Sequence, residues 1–410
     1  MFELTEEQEH LRRVVRDFAE SEIAPGAEEW DATHTFPLEV VKAMGDLGLF
    51  GIPFPEEYGG GGAGLTELCL AIEEIARVDQ SLAITLEAGV GLGANPIYRF
   101  GTEEQRQRWL PDLCAGRALG AFGLTEPDAG TDAGATRTTA RLDEATDEWV
   151  INGEKAFITN SGTGITSIIT ITARTGPGPS ERHGDRAGGG AEAAESAATF
   201  GDAGAPGEIS CIVVPAGTPG MTVSPPYRKM GWHASDTHGL TFADCRVPAD
   251  HLLGERGRGL RQFLQILDEG RVAIAALAVG VIRACLDHSV EHAQNRHTFG
   301  RPIGSNQAVA FACSDMAVMA ETASALTYEA AWRRDTGRPF TRAAAMAKLH
   351  ATEAAVTATR MATQIFGGYG FIDETPVARH YRDAKILEIG EGTSEVQRLI
   401  IARDLGLPVR

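Results

Sequence analysis

The segment that reads EIGEGTSE, residues 388–395, places three carboxylates within eight positions and sets a glycine on each side of the middle one. That middle residue is Glu391, between Gly390 and Gly392. Each glycine costs about 1 kcal/mol relative to alanine inside a helix, so the segment is predicted to be a bend. Glu391 is therefore held on a bendable piece of backbone between two polar stretches.

A loop in the middle of the chain offers polar groups of another kind. The stretch FGLTEPDAGTDAG, residues 122–134, is predicted to be a short strand that runs through Thr125 into a loop with Gly130 and Thr131. Its backbone N–H groups and two hydroxyls suit a ring rich in acceptors, or a phosphate. An ordinary turn explains the same residues equally well when the segment is taken alone.

Three further segments combine an aromatic ring with polar donors. In KAFITNS, residues 155–161, Phe157 and Thr159 share one face of a strand, where they can stack on and hydrogen-bond to a flat heterocycle. RHTFGRPIGSNQ (residues 296–307) and QIFGGYGF (residues 364–371) are both breaks between helices, and Arg296 can bridge phosphate oxygens. Taken singly, a core phenylalanine and two helix-to-helix turns are the competing interpretations.

Composition narrows the functional class. The chain has 410 residues, with 37 Lys and Arg against 56 Asp and Glu, and the net charge of −19 disfavours nucleic acid as a partner. The six cysteines are far apart and the histidines show no metal-ligand grouping, so we expect no metal site. The glycine run at residues 59–64 matches G-x-G-x-x-G but follows two prolines instead of a buried strand, so a Rossmann site is not expected. With no targeting segment at the N-terminus and no apolar run near the length of a membrane span, a cytoplasmic protein is expected.

The elements that position these segments follow the order α, then β, then α. Residues 1–118 show helical spacing of apolar positions and begin with a capping box at Thr5 and Gln8. Residues 119–245 read as strands with no helix between them, and residues 246–410 read as a bundle of three or four long helices. The predicted fold class is therefore α+β, with an antiparallel sheet between two helical domains.

Two local features of the sheet domain carry specific predictions. Asn152-Gly153 stands between two strand-like runs and is predicted to be the turn of a β-hairpin. Residues 175–207 are rich in glycine and alanine with a single large apolar residue, so this stretch is predicted to be a flexible surface insertion.

Six segments, in order along nearly the whole chain, resemble the acyl-CoA dehydrogenase family, nearest to its short-chain and short branched-chain members. The segments are FGLTEPDAGTD, WVINGEKAFITNS, RKMGWHASDTHGLTFADCRVPADHLLG, NRHTFGRPIGSNQ, QIFGGYGF and RDAKILEIGEGTSEVQRLIIAR. The resemblance implies an N-terminal helical domain, a middle β domain and a C-terminal four-helix bundle. It also implies non-covalent FAD, a homotetramer built as a dimer of dimers, and electron transfer to an electron-transferring flavoprotein.

The resemblance also implies roles for particular residues. Those expected at the flavin and the thioester are Phe122, Leu124, Thr125, Gly130, Thr131, Phe157 and Thr159. Those expected at the remainder of FAD are Arg296, Phe299 and Gln307, then Thr393 and Glu395, with Gln364, Gly367 and Gly368 contributed by the neighbouring subunit. Substrate contacts are expected from Thr131, Arg271, Gly390 and Gly392, and Glu391 stands at the position of the catalytic base.

Two positions depart from the pattern common in the family, and a third concerns the place of the base. Phe157 stands where many relatives have tryptophan, and Gly390 where many have tyrosine before the base. We hypothesise that Gly390 enlarges the acyl pocket. Some members carry the base on a bundle helix immediately before an arginine, and here Gly270 precedes Arg271, which leaves that place empty. Glu269 lies one residue away and should point about 100° aside.

The implied reaction is α,β-dehydrogenation of a short or branched short-chain acyl-CoA to the trans-2-enoyl-CoA. Glu391 would take the α-proton, flavin N5 the β-hydride, and the backbone N–H of Glu391 would stabilise the thioester oxygen. Two alternatives stay open: an acyl-CoA oxidase that uses oxygen, and a non-catalytic scaffold that binds acyl thioesters.

Overall fold

The first part of the chain is a set of short helices. A computed structural model describes residues 4–176 and 208–409. Thr5 Oγ1 accepts from the backbone N–H of Gln8, and the Gln8 side chain accepts from that of Thr5, which confirms the capping box. The helices are α1 (Glu6–Phe18), α2 (Ala27–Thr33), α3 (Leu38–Asp46), α4 (Leu65–Ala76), α5 (Gln80–Glu87), α6 (Asn95–Phe100) and α7 (Glu103–Cys114).

A mixed β-sheet follows. Its strands are β1 (Leu119–Gly123), β2 (Thr139–Asp143), β3 (Glu148–Thr159), β4 (Thr166–Arg174), β5 (Ile209–Pro215), β6 (Met221–Val223), β7 (Thr237–Pro248) and β8 (Leu252–Leu253). The order is β6-β7-β3-β2-β4-β5-β8, and β1 pairs with β4. Most neighbours are antiparallel, as predicted, but β1 and β2 both run parallel to β4. The sheet is therefore mixed and not purely antiparallel.

The predicted hairpin turn at Asn152-Gly153 is wrong. Both residues lie inside β3, where the pairing with β7 shifts register between Ile151 and Gly153. Gly153 has φ 144°, and a Cβ there would lie 2.6 Å from Thr138, so glycine serves an irregularity in the strand. The turn that joins β2 to β3 lies at residues 144–147. Of the predicted insertion at 175–207, residues 177–207 lie outside the described part of the chain.

The C-terminal part is a bundle. It comprises α8 (Gly259–Asn295), a two-residue hairpin of β9 (His297–Thr298) and β10 (Arg301–Pro302), α9 (Gln307–Asp335), α10 (Thr341–Phe366), α11 (Pro376–Ala384) and α12 (Ser394–Asp404). The three long helices pack on one another, and α8 also packs on α4. The buried face of α10 is mostly alanine, which lets the helices approach closely. Asp335, near the end of α9, accepts from the backbone N–H groups of Leu65 and Thr66 and so ties the bundle to α4.

Two of these helices, α8 and α9, are long and apolar enough to span a membrane by length and composition, which the apolar runs of the sequence did not suggest. For α8, 78% of its most apolar stretch is buried inside the fold, as in the core helix of a soluble protein. For α9 the buried share is 17%, and Phe311 and Val318 are exposed on it. The apolar face of α9 is therefore open to a partner.

Candidate active site

Glu391 lies on a strained turn between the short 3₁₀ turn Lys385–Glu388 and α12. Its φ is 53° and that of Gly392 is 93°. A left-handed non-glycine residue costs of the order of 1–3 kcal/mol, and such strain is concentrated at functional sites. Surrounding groups hold the turn: the Gly392 carbonyl accepts hydrogen bonds of 2.8 Å from both Lys348 and Gln397. Gly390 has no positive φ, and a Cβ there would meet only the carbonyl oxygen of Ile386, at 3.5 Å.

The carboxylate of Glu391 is buried beside a gap in α8. Neither of its oxygens is exposed, and no N–H group or hydroxyl of the described residues donates to them, so the Glu87 carboxyl is their hydrogen-bonding neighbour. A Cβ on Gly270 would lie 2.0 Å from Glu391 Oε2, so only glycine at this position leaves room for the carboxylate. The empty position noted in the sequence therefore faces Glu391 directly.

A second buried carboxyl, Glu87 at the end of α5, acts on Glu391. Its side chain is fully buried, and its carboxyl hydrogen-bonds to that of Glu391. Burial raises the pKa of Glu391 to about 7, against the opposing effects of Glu87, Lys348 and Arg271. Burial and the negative charge of Glu391 raise the pKa of Glu87 well above its usual range. The hydrogen bond between the two carboxyls also raises the pKa of Glu87 and lowers that of Glu391, so Glu87 holds the proton of the pair and Glu391 is the group that ionises.

From the sequence, residues 86–94 either line the acyl pocket or serve helix packing alone, and Glu87 was not singled out among them. The available signal was a single acidic residue within the otherwise uncharged run Gln80–Ala94, because such a residue in a buried helix needs a partner or a function. The chain then continues as a π-helical segment, Ala88–Ala94, a form often found at functional sites.

A narrow cavity of about 20 Å³ is lined by Glu87 of this pair, but not by Glu391. Its other walls come from the loop before α4, from α4, the π-helical segment, α6, α8 and α9, and include Phe54, Leu68, Gly91, Gly270 and Ala273. The free volume is about that of one water position, so the cavity suits a small apolar group beside the carboxylate. Gly390 does not line it.

The other end of the cavity is closed by an ion network around Glu269. This carboxylate pairs with Arg334 at 2.9 Å and with Arg99, and accepts a hydrogen bond from Asn95. As predicted, Glu269 is thus turned away from Glu391. Arg271 is also buried, and its guanidinium pairs with Asp268.

The loop at residues 122–134 is anchored by a buried ion pair that the sequence predictions also missed. Lys155 Nζ donates to Glu126 Oε1 at 2.8 Å and to the Leu124 carbonyl at 3.2 Å. Burial opposes ionisation of Glu126, but Lys155, Thr136 and backbone N–H groups lower its pKa to about 2. This pair fixes the loop, so that Leu124 and Thr125 are half-buried while Gly130 and Thr131 are exposed. Phe122 instead stacks on Phe263 of α8, with ring centroids 3.8 Å apart.

Phe157 stands out as a strained and exposed aromatic residue at the end of β3. It has φ 61° and is 65% exposed, with the ring of Tyr227 at 5.0 Å. A bulky residue with positive φ is uncommon, and an apolar ring in the open gains nothing without a ligand or partner. Thr159, two residues on, is half-buried, and the pairing of β3 with β7 shifts register between Lys155 and Ile158, so a shared face for Phe157 and Thr159 stays a prediction.

Arg296, Gly367 and Gly368 line a second, open cleft of about 430 Å³. Around it, Phe299 is fully exposed with φ 51°, and Gln307 and Gln364 are exposed at the start of α9 and the end of α10. Arg296 and the two glycines share one cleft, where all three can contact one ligand. The contribution of the glycine segment by the neighbouring subunit stays a prediction.

The two remaining predicted cofactor residues flank the start of α12. Thr393 caps that helix by accepting from the backbone N–H of Val396, whereas the Glu395 side chain is exposed. Across residues 4–176 and 208–409, no cluster of three or more His, Cys, Asp or Glu side chains could hold a metal ion.

Comparison with known proteins places this architecture among flavin-dependent dehydrogenases. Residues 5–117 match the acyl-CoA dehydrogenase N-terminal domain, residues 121–189 the middle domain and residues 257–406 the C-terminal domain. The chain belongs to the acyl-CoA dehydrogenase family, and is an oxidoreductase that acts on CH–CH bonds. The fold expected from the resemblance is confirmed.

Relatives and solved structures match over almost the full chain. The probable acyl-CoA dehydrogenase YngJ of Bacillus subtilis is 48% identical over 98% of this chain and 99% of its own. The mitochondrial short-chain specific acyl-CoA dehydrogenase of Rattus norvegicus is 42% identical over 98% and 91%. Butyryl-CoA dehydrogenase from Megasphaera elsdenii has a TM-score of 0.88 at 40% identity, covering 99% of both chains.

Two other solved structures carry names that bear on cofactor and partner. One, described as the electron transferring flavoprotein of Acidaminococcus fermentans, has a TM-score of 0.89 at 41% identity and covers 99% of both chains. The other, an acyl-CoA dehydrogenase complexed with FAD from Bacillus anthracis, has a TM-score of 0.86 at 30% identity and covers 99% of this chain and 69% of that one.

Proposed function

We propose that this protein oxidises a short or branched short-chain acyl-CoA to the trans-2-enoyl-CoA, with Glu391 as the base. The carboxylate of Glu391 carries the proposal: it is buried, its one hydrogen-bonding neighbour among the described residues is the Glu87 carboxyl, and it lies against Gly270. Gly270 and Glu87 both line a narrow cavity. The relatives named for short-chain substrates and for butyryl-CoA support a small acyl group.

The base needs a suitable pKa and a fixed direction. A pKa of about 7 for Glu391 lies near the operating pH, where a general base is most effective. Glu87 retains its proton and so adds no second negative charge to the cavity. The left-handed turn at Glu391 and Gly392 would direct the Glu391 N–H toward the thioester oxygen, where one such donor is worth about 2.7–4 kcal/mol to the transition state.

The residues of this chain fit FAD. Phe157 offers an exposed ring for stacking, with Thr159 beside it. The open cleft offers the Arg296 guanidinium for phosphate, and Gly367 and Gly368 for close approach of the backbone. Bound FAD would supply the acceptor for the β-hydride, and its electrons would pass to an electron-transferring flavoprotein. The two similar structures named for FAD and for such a flavoprotein support this assignment.

The exposed apolar face of α9 supports assembly into the homotetramer, a dimer of dimers. Phe311 and Val318 are exposed on α9, and only 17% of the most apolar stretch of this helix is buried within the chain. A second copy would cover this face. Light scattering of the purified protein should give four times the mass of one chain, and a monomer would contradict the assembly.

The experiment that tests the function is anaerobic flavin reduction, screened against acyl-CoAs of increasing length and branching. Short or branched short acyl groups should bleach the flavin fastest. Glu391→Gln, which keeps the shape and removes the base, should retain FAD and lose bleaching. Persistent bleaching would place the base elsewhere. Hydrogen peroxide formed at the catalytic rate without an added acceptor would favour the oxidase alternative instead.

A further inference from the structure

A lysine buried beneath the Glu391 turn has no part in the mechanism described above. The buried face of α10 consists of alanine and threonine apart from Lys348, whose side chain is completely shielded from solvent. Burying an ammonium is costly unless acceptors and opposite charges compensate for it. The groups around Lys348 must therefore compensate for burying its ammonium.

Lys348 holds the backbone immediately after the base. Its Nζ donates a hydrogen bond of 2.8 Å to the carbonyl oxygen of Gly392. Gln397 donates to the same oxygen at 2.8 Å and more weakly to the Glu391 carbonyl at 3.4 Å. Two consecutive left-handed residues, Glu391 and Gly392, persist only where surrounding contacts over-determine them. The two donors provide those contacts.

The charge of Lys348 also reaches the base. The charged and titratable groups that act on Glu391 come from three elements: Glu87 from α5, Arg271 from α8 and Lys348 from α10. Burial raises the pKa of Glu391, while the positive charges of Lys348 and Arg271 lower it.

Lys348 in turn responds to its surroundings. Burial, with a smaller contribution from Arg271, lowers its pKa to about 8 against the opposing effect of three carboxylates, Glu391, Glu388 and Glu395. The ammonium and the base therefore stabilise each other's charged form.

We propose that Lys348 is a positioning residue for the dehydrogenation: its buried ammonium fixes the turn of Glu391 through the Gly392 carbonyl and places a positive charge beside the base. The inference rests on the proposed function, in which Glu391 takes the α-proton. Lys348 acts through Glu391 and contacts neither substrate nor the reacting atoms.

The test compares three holoenzyme variants by the pH dependence of anaerobic flavin reduction. Lys348→Met removes the charge and the donor, Lys348→Gln removes the charge but keeps an N–H donor, and Lys348→Arg keeps both. The Met and Gln variants should retain FAD. In their plots of rate against pH, the rise on the acidic side should move up by about one pH unit, so that rates on this acidic limb fall about tenfold. The Gln variant should keep the higher plateau rate of the two, and the Arg variant should keep the limb nearest to wild type.

A matched control is Lys385→Gln. Lys385 is a half-exposed lysine on the same turn that pairs with Glu388, and its loss should leave the limb unmoved because exposed charges are screened. Should the Met variant fail to fold, the Gln and Arg variants carry the comparison.

Wild-type limbs and plateaus in both the Met and Gln variants would overturn the proposal. Measuring Glu391→Gln in parallel distinguishes a failure of the Lys348 proposal from a failure of the proposed function. An inactive Glu391→Gln beside unaltered Lys348 variants rejects only the role of Lys348. Bleaching by Glu391→Gln rejects the proposed base, whatever Lys348 does.

Discussion

Replacing Gly270 by alanine should separate activity from folding. The added Cβ would lie 2.0 Å from Glu391 Oε2, about 1.4 Å short of the 3.4 Å at which ordinary contact begins. The carboxylate must move by about that distance, and a misplacement of about 1 Å typically costs about 10²-fold in rate. Alanine is also about 1 kcal/mol better than glycine inside a helix, so α8 gains intrinsic stability from the same change. We expect a large loss of rate in a protein that is no less folded.

The assay is stopped-flow flavin reduction under anaerobic conditions with a saturating short-chain acyl-CoA. FAD content and Tm of the same preparation serve as internal controls. The expected result is a rate constant lower by about 10²-fold, with full FAD and a Tm at or near that of wild type. A wild-type rate in Gly270→Ala would refute the reasoning, because it would show that the Glu391 carboxylate does not react from the place it occupies beside α8.

Three other substitutions test separate parts of the site. Glu87→Leu should move the rise of the flavin-reduction rate with pH to higher pH, because the loss of a protonated neighbour raises the pKa of Glu391. Glu87→Gln keeps a donor and should leave this rise at nearly the wild-type pH. The same pH for the rise in both variants would contradict the prediction. Arg296→Ala should weaken FAD binding by about 1.5–3 kcal/mol, which is roughly 10–150-fold in Kd. The Kd is measured by titrating the apoprotein with FAD. An unchanged affinity would show that Arg296 does not contact the cofactor. Lys155→Met leaves the buried Glu126 without its cation, so it should lower the free energy of unfolding, measured with denaturant, by about 3–5 kcal/mol. The double variant with Glu126→Gln should lose less unfolding free energy. Equal losses in the single and double variants would show that the ion pair is not the cause.

The sequence predicted the parts of the fold that depend on neighbours along the chain. The capping box at Thr5 and the three long helices of the bundle follow from helical spacing and end signals within a few residues. The turn at Glu391 was predicted from its flanking glycines in the same way. These features depend on local backbone preferences, which the sequence displays directly.

The sheet shows where local patterns are insufficient. Asn152-Gly153 is a strong hairpin signal, yet pairing with β7 keeps both residues inside β3, and the glycine is needed because Thr138 approaches it. The parallel placement of β1 beside β4 likewise depends on how the sheet joins the helical region. Partner strands decide such outcomes, and their identity is not contained in either segment.

For the candidate site, the sequence by itself determined which segments carry chemistry and that Glu391 stands on a bend. Only the tertiary structure decided what surrounds it: Glu87, Gly270 and Lys348 belong to three helices far apart in the chain. A pKa depends on burial and on charges brought close in space, and neither is visible in a linear pattern. Packing of α5, α8 and α10 around one turn thus makes a carboxylate on a flexible segment into a buried, ionisable group.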